Sequence, residues 1–278
     1  MISPHWWNLK RPGCFLPVFF LSFFAGIASG QVPVQEASVA ATGGAFVARS
    51  GYSCALRNQA GLGWVKEHSV SLNHSLPFIE LGISSVSLQA NTEKGALGTI
   101  FSTYGIPGLR HSSLWLSYGM AISSRLSAGL GMHFWTFSTP EKKFFHPGIS
   151  FGLGLQVKIN EHWICGVHLL NPASWSDTSS DLPNRKMILS IGCSYSFFRT
   201  ATIFLDLRMA PENRIQWANG IEWSLRKTIC FMIGIHNQPY TWSGGFSVEY
   251  KQYEIQIALQ YLTDTGTIPY ASFHYGWQ

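Results

Sequence analysis

Cysteine is the residue type whose spacing in this chain is most readily tested for chemistry. Four cysteines follow residue 30 and no two of them form a Cys-x-x-Cys pair; they are Cys54, Cys165, Cys193 and Cys230. Three of the four lie within separate hydrophobic segments. This favours thiols that are buried or face lipid, and leaves a disulfide between neighbouring segments as the alternative. The spacing predicts no metal site, and we expect no cofactor.

Serine and histidine do not suggest a catalytic site. A hydrolase needs a nucleophile, a base and a group that orients the base. Serines occur throughout the chain, but their spacing selects no triad. Five histidines fall at the ends of the predicted segments or in connections; they are His74, His111, His146, His162 and His236. The sequence therefore predicts a protein that is not an enzyme.

Charged side chains are scarce, and several of them lie at the strand positions that alternate with the large apolar residues. We expect them to point inward; they are Lys186, Asp206, Arg208, Glu222, Glu249, Lys251 and Glu254. Their signs are mixed, which favours pairing inside a polar lumen over a selective ring for a solute path.

The composition narrows the class of protein. Charged residues make up 12% of the 278 residues, about half the fraction usual in soluble domains, and aromatic residues make up 14%. The aromatic content excludes a long disordered chain. The scarcity of charged heptads excludes a coiled coil. The positive residues are scattered, so we expect no nucleic-acid partner.

Alternation of large apolar residues with polar or small ones fills the chain after residue 64. In Glu254 to Tyr261, every odd-numbered residue is large and apolar, as expected of a strand with one apolar face. Segments of this kind cluster at about ten residues, the length that a tilted strand needs to cross a bilayer. Fourteen are predicted: 66–74, 80–90, 95–104, 112–122, 125–137, 145–158, 161–171, 185–197, 199–208, 214–224, 227–236, 242–250, 253–262 and 270–277.

Connections and aromatic residues favour a membrane barrel over a soluble sandwich. Short connections such as Ser123-Ser124 are predicted to alternate strictly with longer ones such as Gly105 to His111, like the periplasmic turns and outer loops of outer-membrane barrels. Aromatic residues near both ends predict two interfacial girdles: Trp163, Trp223 and Trp277 at the short-turn end, and Tyr104, Trp115, Trp135 and Trp242 at the other. We predict an all-β, transmembrane outer-membrane β-barrel of about 14 antiparallel strands with a short N-terminal plug segment.

The first residues are typical of an export signal. Lys10 and Arg11 precede the apolar stretch Cys14 to Ile27, and Ala28-Ser29-Gly30 offers small residues for cleavage. The stretch is too short to span a bilayer of about 30 Å as a helix. We therefore predict a signal peptide at 1–30, a plug segment at 31–63 and the barrel at 64–278. The expected location is the outer membrane of a Gram-negative cell.

The predicted plug segment is rich in glycine and alanine, which allow close backbone packing in a narrow lumen. It carries two motif blocks: Gly43-Gly44-Ala45-Phe46-Val47-Ala48, and later Asn58-Gln59-Ala60-Gly61-Leu62. These blocks resemble the N-terminal signature of FadL-like outer-membrane proteins, most closely the PorV/PorQ branch of Bacteroidota. Gln59 stands where that family usually has proline, and Arg49 to Tyr52 where it often has acidic residues. The resemblance implies a 14-stranded barrel with its N-terminal segment folded inside.

Two functions are favoured at this stage, and a purely structural surface protein is a third possibility. The resemblance to PorV/PorQ implies an accessory or docking component of type IX protein secretion, whose partners are outer-membrane lipid and other secretion-system proteins or secreted cargo. The alternative is a FadL-like passive channel for hydrophobic solutes, which predicts an apolar pocket near the outer mouth and a gap or kink in the wall. Trp175, placed in the longest predicted loop (Pro172 to Asp181), is a candidate contact residue; the alternative is that it folds over the barrel mouth.

Overall fold

A computed structural model describes residues 36–78, 81–106, 109–138, 146–176, 185–197, 200–209, 215–226, 228–263 and 266–278. The predicted signal peptide at 1–30 lies outside the described residues. A short helix, α1 (Ala37–Ala41), and two 3₁₀ turns (Tyr52–Ala55 and Gln59–Trp64) precede the strands. The strands are β1 (His68–Phe78), β2 (Leu81–Thr92), β3 (Gly95–Ile106), β4 (Leu109–Ala121), β5 (Leu126–Ser138), β6 (His146–Lys158), β7 (Trp163–Ser176), β8 (Ile188–Phe197), β9 (Ala201–Met209), β10 (Ile215–Arg226), β11 (Ile229–Asn237), β12 (Tyr240–Tyr250), β13 (Tyr253–Leu262) and β14 (Gly266–Trp277).

The fourteen strands form one closed antiparallel barrel. Each strand pairs with its neighbours in the chain, and β1 pairs with β14, from His68 opposite Trp277 to Ser75 opposite Tyr270. The prediction of a barrel of about 14 antiparallel strands is confirmed. Within the described residues, no helix is long and apolar enough to cross a membrane.

Alternation of side chains along each strand separates two surfaces. In β13, Ile255, Ile257 and Leu259 are about half exposed on the outside, whereas Gln256 and Gln260 are buried inside. A strand places successive side chains on opposite faces, so this sequence pattern gives an apolar outer surface and a polar interior. The outer surface has the character that lipid contact requires.

The predicted strict alternation of short and long connections was wrong. At the end of the barrel where long loops were expected, β1 ends at Phe78 with β2 beginning at Leu81, and β3 ends at Ile106 with β4 beginning at Leu109. Residues counted as loop extend the hydrogen-bonded ladders here, because pairing satisfies backbone groups that an open loop would leave to solvent. The longer connections remain those after β5, β7 and β9.

The predicted outer aromatic girdle was also mostly wrong. Trp242 faces outward and is 55% exposed, but Tyr104, Trp115 and Trp135 are buried on the inward face. Their positions along the strands correctly predicted which end of the barrel they lie near. Whether a side chain faces inward or outward depends on whether its position in the strand is odd or even. The aromatic residues predicted at the short-turn end do face outward; they are Trp163, Trp223 and Trp277.

Two of the cysteines form a disulfide. Cys165 on β7 and Cys193 on β8 lie directly opposite each other in the ladder and are bonded. Their neighbours Gly166 and Gly192 are buried inward, so the disulfide lies on the outer face. The favoured expectation of free thiols was therefore wrong for this pair, while Cys54 and Cys230 are free.

We expect peptide mapping of the folded protein, alkylated before any reduction, to recover Cys165 and Cys193 as one linked species. Alkylation of Cys54 should require unfolding, because Cys54 is buried. Alkylation of Cys230 should be slow, because Cys230 is partly buried. Recovery of Cys165 as a separately alkylated peptide would contradict the observed pairing.

Candidate functional site

The lumen is occupied by residues 36–64, which we call the plug. Helix α1 lies against the inward faces of β11 to β14 and is buried along its whole length. Four hydrogen bonds between described residues attach it to the wall. The amides of Ala37 and Ser38 donate to Ser272 Oγ (2.9 Å) and Gln256 Oε1 (3.0 Å), while Gln260 Nε2 donates to the Ala40 carbonyl (3.0 Å) and Ser243 Oγ to the Ala41 carbonyl (2.8 Å). The polar inward residues of the wall therefore satisfy the helix backbone.

The first motif block forms the turn that follows α1. Gly43 and Gly44 have φ angles of +69° and +82°, a region that glycine adopts at little cost. Gly43 also lies against the β11 backbone, where an added Cβ would be 2.6 Å from the Ile235 carbonyl oxygen. Ala45 packs with Phe204 and Ala218 of the wall. The two glycines thus allow the chain to turn while touching the barrel.

Phe46 and Val47 are held by a buried carboxylate. Asp206 Oδ2 accepts hydrogen bonds from the Phe46 amide (2.6 Å) and the Val47 amide (3.0 Å). Two guanidinium groups lie near the centre of the Phe46 ring, those of Arg57 (5.0 Å) and Arg208 (5.3 Å). Bonds to a charged acceptor are stronger than neutral ones, so Asp206 is the principal anchor of this block.

The second motif block closes the plug against β3 to β6. Asn58 Nδ2 donates to the Val47 carbonyl (2.7 Å), while its Oδ1 caps the last 3₁₀ turn at the Ala60 amide (3.2 Å). Gly61 approaches Cys54, where an added Cβ would lie 2.4 Å from Sγ. Leu62 is fully buried and packs with a cluster that includes Ala96, Ile100 and Trp115. Asn58 therefore links the two blocks.

Arg49 pairs with the wall from the position where the resembled family often has acidic residues. Its Nη1 lies 2.7 Å from Glu222 Oε1, its Nη2 donates to Thr42 Oγ1 (2.7 Å) and its Nε donates to the Ala45 carbonyl (2.9 Å). Asp206 and Glu222 of the wall therefore both bind the plug. Lys186 and Lys251, expected inside by parity, lie outside the strands.

The outer half of the lumen holds an aromatic and basic cluster that sequence reasoning missed. We call it the outer cluster; it comprises Tyr104, His111, Trp115, His133, Trp135 and Arg185. The rings of Trp115 and His133 stack at 3.9 Å, and the Arg185 guanidinium lies 3.6 Å above Trp135. The cluster brings together residues from β3, β4 and β5 and the segment before β8, so only the strand register could have revealed it.

Several N–H groups of the outer cluster have no acceptor. Arg185 is 5% exposed, and its Nη1 hydrogen-bonds His133 Nδ1. Within the described residues, Arg185 Nε and Nη2, Trp115 Nε1 and His133 Nε2 find no partner. Burial lowers the pKa of Arg185 to about 9, with Tyr104 acting in the opposite direction. This is therefore a region of unsatisfied donors under the outer mouth.

The hydrogen-bonded ladder between β7 and β8 ends beside the outer cluster, and we call this place the break. Pairing of β7 with β8 ends at Leu170 opposite Ile188, although β7 continues to Ser176. Asn171 has a φ of +54° and precedes Pro172, which has no amide to donate, and the β6–β7 register shifts at the same level. Side-chain hydrogen bonds join described residues across the break: Asn171 Nδ2 donates to the Lys186 carbonyl (3.3 Å), and Ser174 Oγ donates to the Arg185 carbonyl (3.0 Å).

The expectation that Trp175 lies in a loop was wrong. Trp175 belongs to β7, opposite Ile149 of β6, and its ring packs edge-on against Phe151 at 5.9 Å. Its side chain faces outward and is 60% exposed. The strand extends further than the polar sequence predicted, and Trp175 occupies the position of an interfacial aromatic anchor.

A Gly-x-Ser-x-Gly stretch at Gly148 to Gly152 lies inside β6 and not at a strand-to-helix turn. Ser150 is opposite His133, but neither Ser150 Oγ nor His133 Nε2 has a hydrogen-bond partner within the described residues. The group on the other ring nitrogen is the Arg185 cation, not a carboxylate. This arrangement lacks the orientation of a nucleophile–base pair. No group of three metal-ligating side chains is present in the described part of the chain.

Comparison with known proteins identifies the architecture. No protein-family model and no curated protein matches the sequence. Among solved structures, the toluene transporter TodX of Pseudomonas putida aligns with a TM-score of 0.66 at 10% identity, over 88% of this chain and 98% of that one. A FadL homologue of Pseudomonas aeruginosa aligns with a TM-score of 0.61 at 10% identity, over 88% and 98%.

The chain has the FadL-type outer-membrane barrel fold. The FadL-like part of the predicted resemblance is confirmed at the level of fold, as is the outer-membrane class of barrel. The PorV/PorQ branch, the signal peptide and the bacterial group stay predictions.

Proposed function

We propose that the protein is a non-enzymatic outer-membrane channel for small hydrophobic solutes, which leave the lumen through the wall. The observation that carries this proposal is the break between β7 and β8 beside the outer cluster. The plug fills the lumen below, so a path through the side of the barrel avoids it. The aromatic faces of the outer cluster supply apolar contact at the entrance to this path.

The similar solved structures support the same proposal. TodX is described as a toluene transporter and a monoaromatic hydrocarbon channel. A channel of this kind is expected to have a gap or kink in its wall, and the positive φ of Asn171 beside the end of the β7–β8 ladder supports such a feature at this level. Two cavities lined by described residues are polar and lie at the short-turn end of the barrel. The apolar pocket near the outer mouth stays a prediction.

Closing the break should stop transport. We expect a disulfide between Asn171→Cys and Lys186→Cys, two positions already joined by a hydrogen bond from the Asn171 side chain to the Lys186 carbonyl, to lower toluene uptake into proteoliposomes at least fivefold. Reduction should restore uptake. The unmodified protein, taken through the same oxidation and reduction, controls for the native disulfide. Unchanged uptake with the cross-link formed would exclude this route.

A second candidate function is docking within the membrane, as an accessory of type IX secretion like PorV/PorQ. Its support is a polar pair on the outer face. The ring of His74 hydrogen-bonds Ser84 Oγ (2.9 Å), although the neighbours on the same face of β1, Leu72 and Leu76, are exposed apolar residues. A polar group on a lipid-facing surface is costly and commonly marks a contact. A secretion-system protein or secreted cargo would be the partner.

A double substitution tests docking. If the pair binds a protein, His74→Leu with Ser84→Ala should abolish co-purification of that protein from native membranes in mild detergent, while the barrel stays folded. Thr99→Val, on the outer face between Leu97 and Phe101, is the matched control and should change nothing. If the double variant retains every co-purifying protein, the docking role of this pair is wrong.

A further inference from the structure

A cavity of about 260 Å³ lies between the plug and the inward faces of β10 to β13, near the short turns. Four glutamates and one arginine line it: Glu36 of the plug, Glu222, Glu249 and Glu254 of the wall, and Arg49. The other lining residues are mostly small and polar; they are Ser38, Ser50, Ser53, Ser224, Thr228, Ile229, Cys230, Met232, Ser247 and Gln256. The charge of this cavity is therefore strongly one-sided.

The single arginine is already engaged. All three of its side-chain nitrogens have partners, and Glu222 takes the ion pair. Glu36 is 7% exposed and lines the cavity, yet its carboxyl group receives no hydrogen bond within the described residues. A buried carboxylate without a partner is unfavourable, because it loses the hydration that water would supply.

A second cavity of about 430 Å³ adjoins the first. Glu249 and Glu254 line both, and Glu67, Lys251 and His274 line the second. The described residues around the first cavity contain no group of three side chains suited to a metal ion. The buried side chain of Met232 gives the cavity an apolar contact, which suits a methylene chain better than a bare ion.

We propose that this cavity binds a small aliphatic diammonium ion, with one ammonium group at Glu36 of the plug and the other at Glu249 or Glu254 of the wall. Such a ligand would tie the plug to the barrel. The site is independent of both functions proposed above, since it lies at the opposite end of the lumen from the wall break.

Protonation of Glu36 should control binding. Burial raises the pKa of Glu36 to about 8, and Glu254 acts in the same direction, whereas Arg49 and Arg57 oppose it. Below this pKa the carboxyl group is neutral and attracts a cation weakly; above it the carboxylate is charged. Affinity should therefore rise as the pH rises through about 8. An aliphatic amine, with a pKa of about 10.4, stays charged throughout.

Calorimetric titration of the full chain in detergent micelles with 1,4-diaminobutane tests the proposal. We expect saturable binding that is at least tenfold tighter one pH unit above the Glu36 pKa than one and a half units below it. Glu36→Gln should weaken binding above that pKa at least tenfold and remove the pH dependence. 1-Aminobutane, with one ammonium group, should bind at least tenfold more weakly.

Three results would overturn the proposal. The first is no saturable binding at the higher pH. The second is an equal loss in Glu161→Gln, an exposed glutamate of the β6–β7 turn outside the cavity, because that would indicate general surface charge. The third is displacement of the diamine by tighter binding of Ca²⁺, which would indicate a metal site. The temperature at which the barrel unfolds on a gel would verify that each variant is folded.

Discussion

Replacing Gly43 by alanine should displace the plug, whereas the same replacement at Gly44 should leave it in place. Both residues have positive φ angles, so each substitution carries a similar backbone cost of about 1–2 kcal/mol. They differ in surroundings. A Cβ at Gly43 would lie 2.6 Å from the Ile235 oxygen and 2.8 Å from its nitrogen, while a Cβ at Gly44 meets nothing within 4 Å. The difference between the variants isolates the contact between plug and wall.

Ion conductance across planar bilayers measures this difference. The native protein and Gly44→Ala should conduct little, because the plug fills the lumen. Gly43→Ala should conduct severalfold more, since the obstructing atoms belong to a hydrogen-bonded strand that cannot yield. Equal conductance in the two variants would mean that the turn does not touch β11 as described.

Removing the carboxylate of Asp206 should be the most destabilising single change in the lumen. Asp206→Ala leaves the amides of Phe46 and Val47 without their acceptor and Arg208 without a nearby anion. Hydrogen bonds to charged groups are worth about 1.5–3 kcal/mol each, so we expect a loss of about 3–5 kcal/mol in the free energy of unfolding. Denaturant unfolding in micelles, followed by tryptophan fluorescence, gives this quantity.

Ser194→Ala is the matched control for Asp206→Ala. Ser194 also joins wall to plug, but by one neutral bond from its Oγ to the Ala48 carbonyl (3.2 Å). Its loss should cost about 1 kcal/mol. Should Asp206→Ala prove as mild as this control, the carboxylate would not be the principal anchor of the plug.

The strands and their faces were predictable from sequence because a strand alternates with a period of two. The alternation of Ile255, Ile257 and Leu259 with glutamine and alanine gives the lipid-facing side directly. Strand ends were less predictable, as Trp175 shows: a polar stretch extends a strand when its backbone finds a partner across the ladder. Segment count and membrane character do not depend on those ends.

The contents of the lumen were only partly predictable. The motif blocks indicated a plug. The anchoring role of Asp206, however, depends on its contact with Phe46, which lies 160 residues earlier in the chain. Cys165 and Cys193 could be placed on one face by parity, yet their pairing requires the register. The outer cluster has the same origin, since Trp115 and His133 meet only across the β4–β5 ladder. A single sequence carries no direct record of register.

The central claim is that lipid contacts alternate residues of every strand around a filled lumen. Spin labels placed singly at positions 254 to 261 of β13, in a background with Cys54 and Cys230 replaced by serine, test it most directly in proteoliposomes. Oxygen, which partitions into lipid, should collide strongly with labels at Ile255, Ile257 and Leu259 and weakly with labels at Gln256, Ala258 and Gln260. Uniform access by a water-soluble nickel reagent, or no alternation at all, would contradict the claim.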